Sequence, residues 1–190
     1  MTLSLFRALA AAAALSICAS ALAQDEAAII QKRQQVREMA KEALADLYEV
    51  APSARAAISH AAGYAVFSTF GIKIFFAGGT SGSGVVVNQR SGRDTFMKMV
   101  KVQAGLGFGA SKDRYVFVFE TESALRNFIS QGWDFSGQAN LSAMVSQQGG
   151  TFTGAASISP GIYMYQLTDT GLSASVTVGG TKFFKDADLH

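Results

Sequence analysis

The sequence has almost no cysteine, histidine or proline. Its single cysteine is Cys18, and its two histidines are His60 and His190. A disulfide scaffold is therefore excluded, and no histidine-based metal site or catalytic triad can be assembled. The sequence also lacks the G-x-S-x-G, H-E-x-x-H, C-x-x-C and EF-hand patterns, and its carboxylates are scattered along the chain. We expect a protein that is not an enzyme and that uses no metal and no cofactor.

Charge is also scarce, at 16% of the 190 residues, and no long apolar run suited to a transmembrane helix is present. The first 23 residues have the features of a secretory signal peptide: Arg7, an apolar run from Ala8 to Ile17, and an Ala21-Leu22-Ala23 ending that fits a signal peptidase site. We expect cleavage after Ala23 and a periplasmic protein. Acylation at Cys18, as in a lipoprotein, and secretion are the alternatives.

Residues 24–52 are predicted to form an N-terminal amphipathic helix. No glycine or proline occurs between Asp25 and Glu49, and apolar residues recur there at intervals of three and four. The polar face has four basic and six acidic residues, unlike a basic membrane-surface helix. Packing on the domain and contact with a membrane both stay open. The predicted apolar face is Ile29, Ile30, Val36, Met39, Ala40, Leu44 and Leu47.

All 19 glycines lie at residue 63 or later, and the chain beyond the first helix is predicted to be mainly sheet. A second short helix is predicted from Ser53, as N-cap, to Gly63, and a third from Thr121, as N-cap, to Gly132. Short stretches of β-branched and aromatic residues separated by turn residues predict strands at 64–67, 72–76, 84–88, 103–110, 115–119, 161–167, 172–178 and 181–184. We therefore expect an α+β domain with mainly antiparallel sheet over residues 53–190.

Two glycine clusters, at 78–84 and 105–109, raise the possibility of a phosphate-binding loop. Such a loop requires a helix directly after its glycines, because the helix N-terminus holds the phosphate. Val85, Val86 and Val87 follow the first cluster and predict a strand instead. The second cluster alternates glycine with apolar residues at the period of a strand. We expect both clusters to serve the sheet.

A succession of motifs between residues 55 and 185 resembles the SYLF domain family. The matching motifs are AGYAVF at 62–67, Lys73, GGTSGSGVV at 78–86, AGLGFG at 104–109, YVFVFE at 115–120 with Ala124-Leu125 and Phe128, GWDF at 132–135, GIY at 161–163, GLSA at 171–174 and GTK at 180–182. The chain departs from the family pattern at Phe75-Phe76 and at Thr95-Phe96-Met97.

This resemblance implies phospholipid binding, and actin association for some eukaryotic members. Actin is not an expected partner of an exported bacterial protein, whereas an anionic lipid surface is. The region from Arg55 to Arg126 has nine basic and four acidic residues, which favours such a surface. The basic residues are not densely clustered, so nucleic acid is not an expected partner.

From these observations we expect a non-enzymatic lipid-binding module of the bacterial cell envelope that recognises anionic phospholipid. The alternative is an envelope scaffold that binds a protein partner without lipid specificity. A solvated face around Arg90 to Lys101, and a buried strand with one outward lysine at Lys73, also stay open. The predicted lipid-binding residues are Lys73, Arg90, Arg93, Lys98 and Lys101, and the predicted membrane-contacting residues are Phe70, Phe75 and Phe76.

Overall fold

The structure of the chain is a computed structural model that describes residues 2–134, 142–144, 151–169, 171–173, 175–177 and 180–190. Side chains are described at 25–71, 78–102, 111–134, 151–169, 171–173 and 180–190. The elements are α1 (Thr2–Val50), α2 (Ser53–His60), β1 (Gly63–Asn88), β2 (Arg93–Phe119), α3 (Glu122–Gln131), β3 (Trp133–Asp134), β4 (Ser142–Met144), β5 (Ala156–Ser159), β6 (Ile162–Thr168), β7 (Gly171–Leu172), β8 (Ser175–Thr177), β9 (Thr181–Lys185) and a 3-10 turn (Ala187–Leu189). The predicted α+β class is confirmed.

Helix α1 packs on the sheet through its second half. Val36, Ala40, Ala43 and Leu47 are buried there, and the two alanines allow the helix to approach the strands closely. Packing on the domain, one of the two predicted roles, is therefore confirmed for this half. Ile30, predicted to lie on the apolar face, is exposed instead. The side chains of the predicted signal peptide lie outside the described residues, and its cleavage stays a prediction.

One of the two predicted helix caps is present in the structure. Thr121 caps α3 as predicted: its hydroxyl accepts a hydrogen bond from the Ala124 amide at 3.2 Å. Gly132 ends α3 with a φ of 66°, a conformation that favours glycine. The prediction that Ser53 caps α2 is wrong, because Pro52 already has helical φ and ψ and occupies the N-cap position.

Within the described residues, seven strands form one antiparallel sheet and β4 pairs with β8 separately. The order is β3-β9-β2-β6-β5, with β1 also on β2 and β7 also on β6. The strands predicted separately at 64–67, 72–76 and 84–88 are one strand, β1, and those at 103–110 and 115–119 belong to β2. Glycines taken as strand boundaries lie inside β1, which pairs with β2 along its length.

The sheet curls so that the two halves of β1 lie against each other. A Cβ atom at Gly84 would be 2.5 Å from the backbone oxygen of Val66, and one at Gly82 would be 2.5 Å from that of Ser68. No side chain fits at such distances. These glycines of the first cluster therefore serve the close approach of two strand halves, which agrees with the predicted structural role.

A β-bulge between Phe75 and Ala77 divides β1 and changes which residues face inward. Before the bulge Phe67 faces inward, into the same cluster as Val86 beyond it. Val66 and Val85 face outward.

The core thus has two parts. The inner core lies on the concave face and includes Phe67, Met97, Met99, Phe117, Phe119, Leu125, Phe128, Met164 and Phe183. The outer core lies between the convex face and α1 and α2 and includes Val36, Ala40, Leu47, Ile58, Val66, Val85, Phe96, Val116, Val118 and Tyr165.

Candidate functional site: an exposed strip on the convex face

The convex face of the sheet is only partly covered by helices. Near α1 its outward side chains, such as Val66 and Phe96, are buried in the outer core. Further along the same strands, Phe70, Val100 and Val102 are 58%, 39% and 72% exposed. Large apolar side chains exposed together commonly mark a contact surface.

We define the exposed strip by the outward-facing residues of this uncovered part. They are Phe70, Ser81, Val100, Val102, Lys112 and Lys182.

Strand pairing places these residues next to one another. Val100 pairs with Ser81 on one side and with Lys182 on the other. Residues 68–71 lie against residues 80–82 through the curl, which places Phe70 beside Ser81. Phe70 and Val100 are therefore two strand spacings apart, or about 10 Å. Phe70 also pairs with Lys112 on its far side. The strip thus has an apolar centre with a lysine at each flank.

The two lysines remain accessible from the solvent. Lys112 is exposed. Lys182 Nζ lies 3.2 Å from Asp134 Oδ2 in an ion pair whose two side chains are each about half exposed. Exposed ion pairs of this kind are weak and easily exchanged for another anion. Long lysine side chains can also lie along an apolar surface and extend their ammonium groups to its edge.

The predicted lipid-binding residues on β2 do not share one surface. Lys98 and Lys101 are three positions apart on the strand and therefore point to opposite faces. Lys98 Nζ lies 2.6 Å from Asp188 Oδ2 and 2.9 Å from Asp186 Oδ1. These hydrogen bonds, with Asp188 the larger contributor, raise the pKa of Lys98. Lys101 is buried on the concave face, and this burial lowers its pKa.

The two predicted arginines lie at the opposite end of the sheet from the bulge. Arg90 lies in the turn between β1 and β2, and Arg93 begins β2. Both are exposed, and Arg90 Nε is 3.6 Å from Glu122 Oε1. The structure therefore does not bring Arg90 and Arg93 together with Lys98 and Lys101 on one basic face.

The predicted membrane-contacting residues lie on β1 near the bulge. Phe70 is exposed and belongs to the exposed strip. Lys73, Phe75 and Phe76 are in strand conformation, but their side chains lie outside the described residues. Their predicted roles stay predictions.

Sequence reasoning did not single out Val100, Val102, Lys112 or Lys182. In the segment from Met97 to Val102 the apolar residues do not alternate, so the pattern does not tell inward from outward positions. The spacing of Lys98 and Lys101 did contain a usable signal, because two residues three apart on a strand lie on opposite faces.

Comparison with known proteins gives one informative relative. No protein-family profile matches the chain. In the described part of the chain, no helix is long and apolar enough to cross a membrane. The chain is 30% identical over 159 residues to the curated protein "Beta cell expansion factor A" of Aeromonas veronii. The match covers 84% of this chain and 59% of the relative, so the chain spans less than two thirds of that protein's length. That relative is a SYLF-domain protein.

Proposed function

We propose that this chain is a SYLF-type module of the bacterial cell envelope that binds an anionic membrane surface without catalysing a reaction. The observation that carries the proposal is the exposed strip, in which apolar side chains lie between two accessible lysines on an uncovered sheet face. The SYLF assignment is supported by the motif succession and by the similarity to the A. veronii protein.

The chemistry of the strip suits the interface of a lipid bilayer. Aromatic side chains settle at the level of the head groups, and lysines beside them meet lipid phosphates. Partial burial of Phe70 and Val102 in the interface is worth about 3 kcal/mol together. Lys112 and Lys182 add about 1 kcal/mol each near an anionic surface. The sum, about 5 kcal/mol, corresponds to a dissociation constant on the order of 0.1 to 1 mM in accessible lipid.

Sedimentation with vesicles tests the proposal. We expect the purified chain to sediment with phosphatidylglycerol-containing vesicles, to bind phosphatidylcholine vesicles less, and to lose binding as salt is raised, because salt screens the lysines. A Phe70→Ser, Val102→Ser double variant should lose most of this binding. Ile30→Ser is the matched control, since Ile30 is also 58% exposed but lies on α1.

The basic flanks have a matched control as well. A Lys112→Ala, Lys182→Ala variant should bind anionic vesicles roughly thirtyfold more weakly, since about 2 kcal/mol is lost. Lys41→Ala should change little, because Lys41 is an exposed lysine on α1 that pairs with Glu38 on the same helix. Equal loss in the Lys41 variant would show a nonspecific charge effect and contradict a role for the strip.

The scaffold function remains the competing proposal. An uncovered apolar strip also suits a protein partner. Failure of the chain to bind any vesicle would refute the lipid proposal and favour the scaffold.

A further inference from the structure

A cleft lies between α1 and the convex face of the sheet, with a volume of about 190 Å³. Ala40 and Leu44 of α1 and Val85 and Val87 of β1 form its apolar floor. Leu44 and Val87 pack against the outer core but are only partly buried, so the helix does not close the space above them. An apolar cavity of about 150 Å³ can hold benzene, and this cleft therefore has room for one substituted aromatic ring.

Strand geometry explains how the cleft acquires an aromatic wall. Val85 and Val87 are two positions apart on β1 and share the outward face. A Cβ atom at Gly63 would collide with the backbone oxygen of Val87, so the curl places the start of β1 beside Val87. Tyr64 follows Gly63, is partly buried and lines the cleft. The lining thus combines aliphatic side chains with one aromatic ring, which suits an aromatic ligand.

An ion pair forms the polar rim of the cleft. Arg37 Nε donates a hydrogen bond to Asp94 Oδ2 at 2.6 Å, and Asp94 pairs with Val87 across the strands. The guanidinium carbon of Arg37 also lies 5.2 Å from the ring centre of Phe96, which holds the group in place. Among the described residues, no hydrogen bond reaches the two terminal nitrogens of Arg37 or Oδ1 of Asp94. The rim therefore offers free donors next to a free acceptor.

This rim favours a neutral group that both donates and accepts a hydrogen bond. A hydroxyl can accept from Arg37 and donate to Asp94. A carboxylate would meet the like charge of Asp94, and an ammonium would meet that of Arg37. Lys41 also lines the cleft, but its ammonium group pairs with Glu38 at 2.9 Å. The paired charges at the rim therefore select against either ion.

We propose that the cleft is a binding site for small phenols. The ring lies on the apolar floor beside Tyr64, and the hydroxyl donates to Asp94 Oδ1 while it accepts from a terminal nitrogen of Arg37. The site is distinct from the exposed strip, because α1 covers this part of the convex face and leaves the strip uncovered. It therefore does not rest on the proposed membrane contact.

Nuclear magnetic resonance of the purified, isotope-labelled full chain tests the site with phenol, benzoate and benzylamine. We expect phenol to shift the backbone amide signals of Leu44, Val87 and Asp94 in a saturable manner. Benzoate and benzylamine should each bind at least about tenfold more weakly, since each ion loses one of the two hydrogen bonds and faces a like charge.

The Asp94→Asn variant tests the selection by charge. Phenol should bind about tenfold more weakly, because a charge-assisted hydrogen bond becomes a neutral one. Benzoate should bind at least about tenfold more tightly than it binds the unchanged chain, because Arg37 no longer has a carboxylate beside it. Asp46→Asn is the matched control, since Asp46 pairs with Arg114 and likewise joins α1 to β2 but does not line the cleft. It should leave the binding of all three ligands unchanged.

The Val87→Phe variant tests the apolar floor independently of charge. The added ring would occupy the cleft, and phenol binding should weaken at least about tenfold. Val50→Phe is the matched control, because Val50 is 49% exposed on α1 and lies outside the cleft. Circular dichroism checks that each variant folds. If Val87→Phe does not fold, the exchange of ligand preference in Asp94→Asn decides the question alone.

Three results would overturn the proposal. The first is the absence of saturable phenol binding to the unchanged chain. The second is binding of benzoate or benzylamine that is as tight as that of phenol. The third is phenol binding that is equal in the unchanged chain, Asp94→Asn and folded Val87→Phe. Vesicle binding that depends on Phe70 and Val102 is measured separately, so failure of this site and failure of the proposed function are distinguishable.

Discussion

Replacement of Gly84 by alanine tests the close approach of the two halves of β1. The new Cβ atom would lie 2.5 Å from the backbone oxygen of Val66 and 2.6 Å from Phe67 Cγ. The Val66 backbone is held by its pairing with Val116. The Phe67 ring is fully buried and contacts the ring of Phe183 at a centroid distance of 5.0 Å. Neither neighbour can move without disturbing the sheet or the inner core.

The expected cost follows from the overpacking of a rigid site. Extra atoms in a packed core cost about 1 to 3 kcal/mol, and a backbone oxygen cannot rotate away as a side chain can. We therefore expect the upper part of that range, about 3 kcal/mol. For a chain of this size, 1 kcal/mol changes Tm by about 2 to 4 °C, so Tm should fall by roughly 6 to 12 °C. Thermal unfolding followed by circular dichroism measures this change.

Gly79 provides the matched control within the same strand and the same glycine cluster. A Cβ atom at Gly79 would have no neighbour within 4 Å. Gly79→Ala should therefore leave Tm unchanged or raise it slightly, because alanine restricts the unfolded chain by about 0.4 to 1 kcal/mol. Equal effects of the two substitutions would refute the inference that the halves of β1 touch at Gly84.

Two further predictions concern the third helix and the buried lysine. Thr121→Ala should lower the free energy of unfolding by about 1 kcal/mol in urea titrations, because the cap to the Ala124 amide is lost; an unchanged midpoint would contradict the cap. The stability of the unchanged chain relative to Lys101→Met should rise as the pH increases toward 10.5, the ordinary pKa of lysine, because burial lowers the folded pKa of Lys101 and the unfolded chain then binds more protons. A relative stability that is constant or falls over this interval would contradict the burial of a titrating ammonium.

Local signals in the sequence predicted local structure well. Thr121 and Gly132 predicted both ends of α3 because a cap and a positive φ depend only on adjacent residues. Pro52 misled the prediction for α2, because its fixed φ already fits a helix and moves the helix start by one position. The α+β class followed from the change of composition at Gly63.

Long-range relations were harder to predict. Gly82 was predicted to lie between two strands and Gly84 to begin one, yet both let residues 66–69 approach closely. No local pattern in the sequence indicates which distant backbone will lie beside them. Phe70 was predicted to be a contact residue and is exposed. The remaining apolar residues of the strip, Val100 and Val102, are exposed only because α1 ends its coverage of the sheet before it reaches them.

The bulge between Phe75 and Ala77 determines which face of the sheet the later residues of β1 occupy. It shifts the pairing register by one residue, so inward positions are odd-numbered before it, as at Phe67, and even-numbered after it, as at Val86. Deletion of the one extra residue at the bulge would restore strict alternation along β1, so Val86 would still face the inner core and Val85 would still face outward. Deletion of a second residue would leave no bulge to absorb the change and would place Val85 in the inner core, so related chains should differ in length here by the single bulge residue.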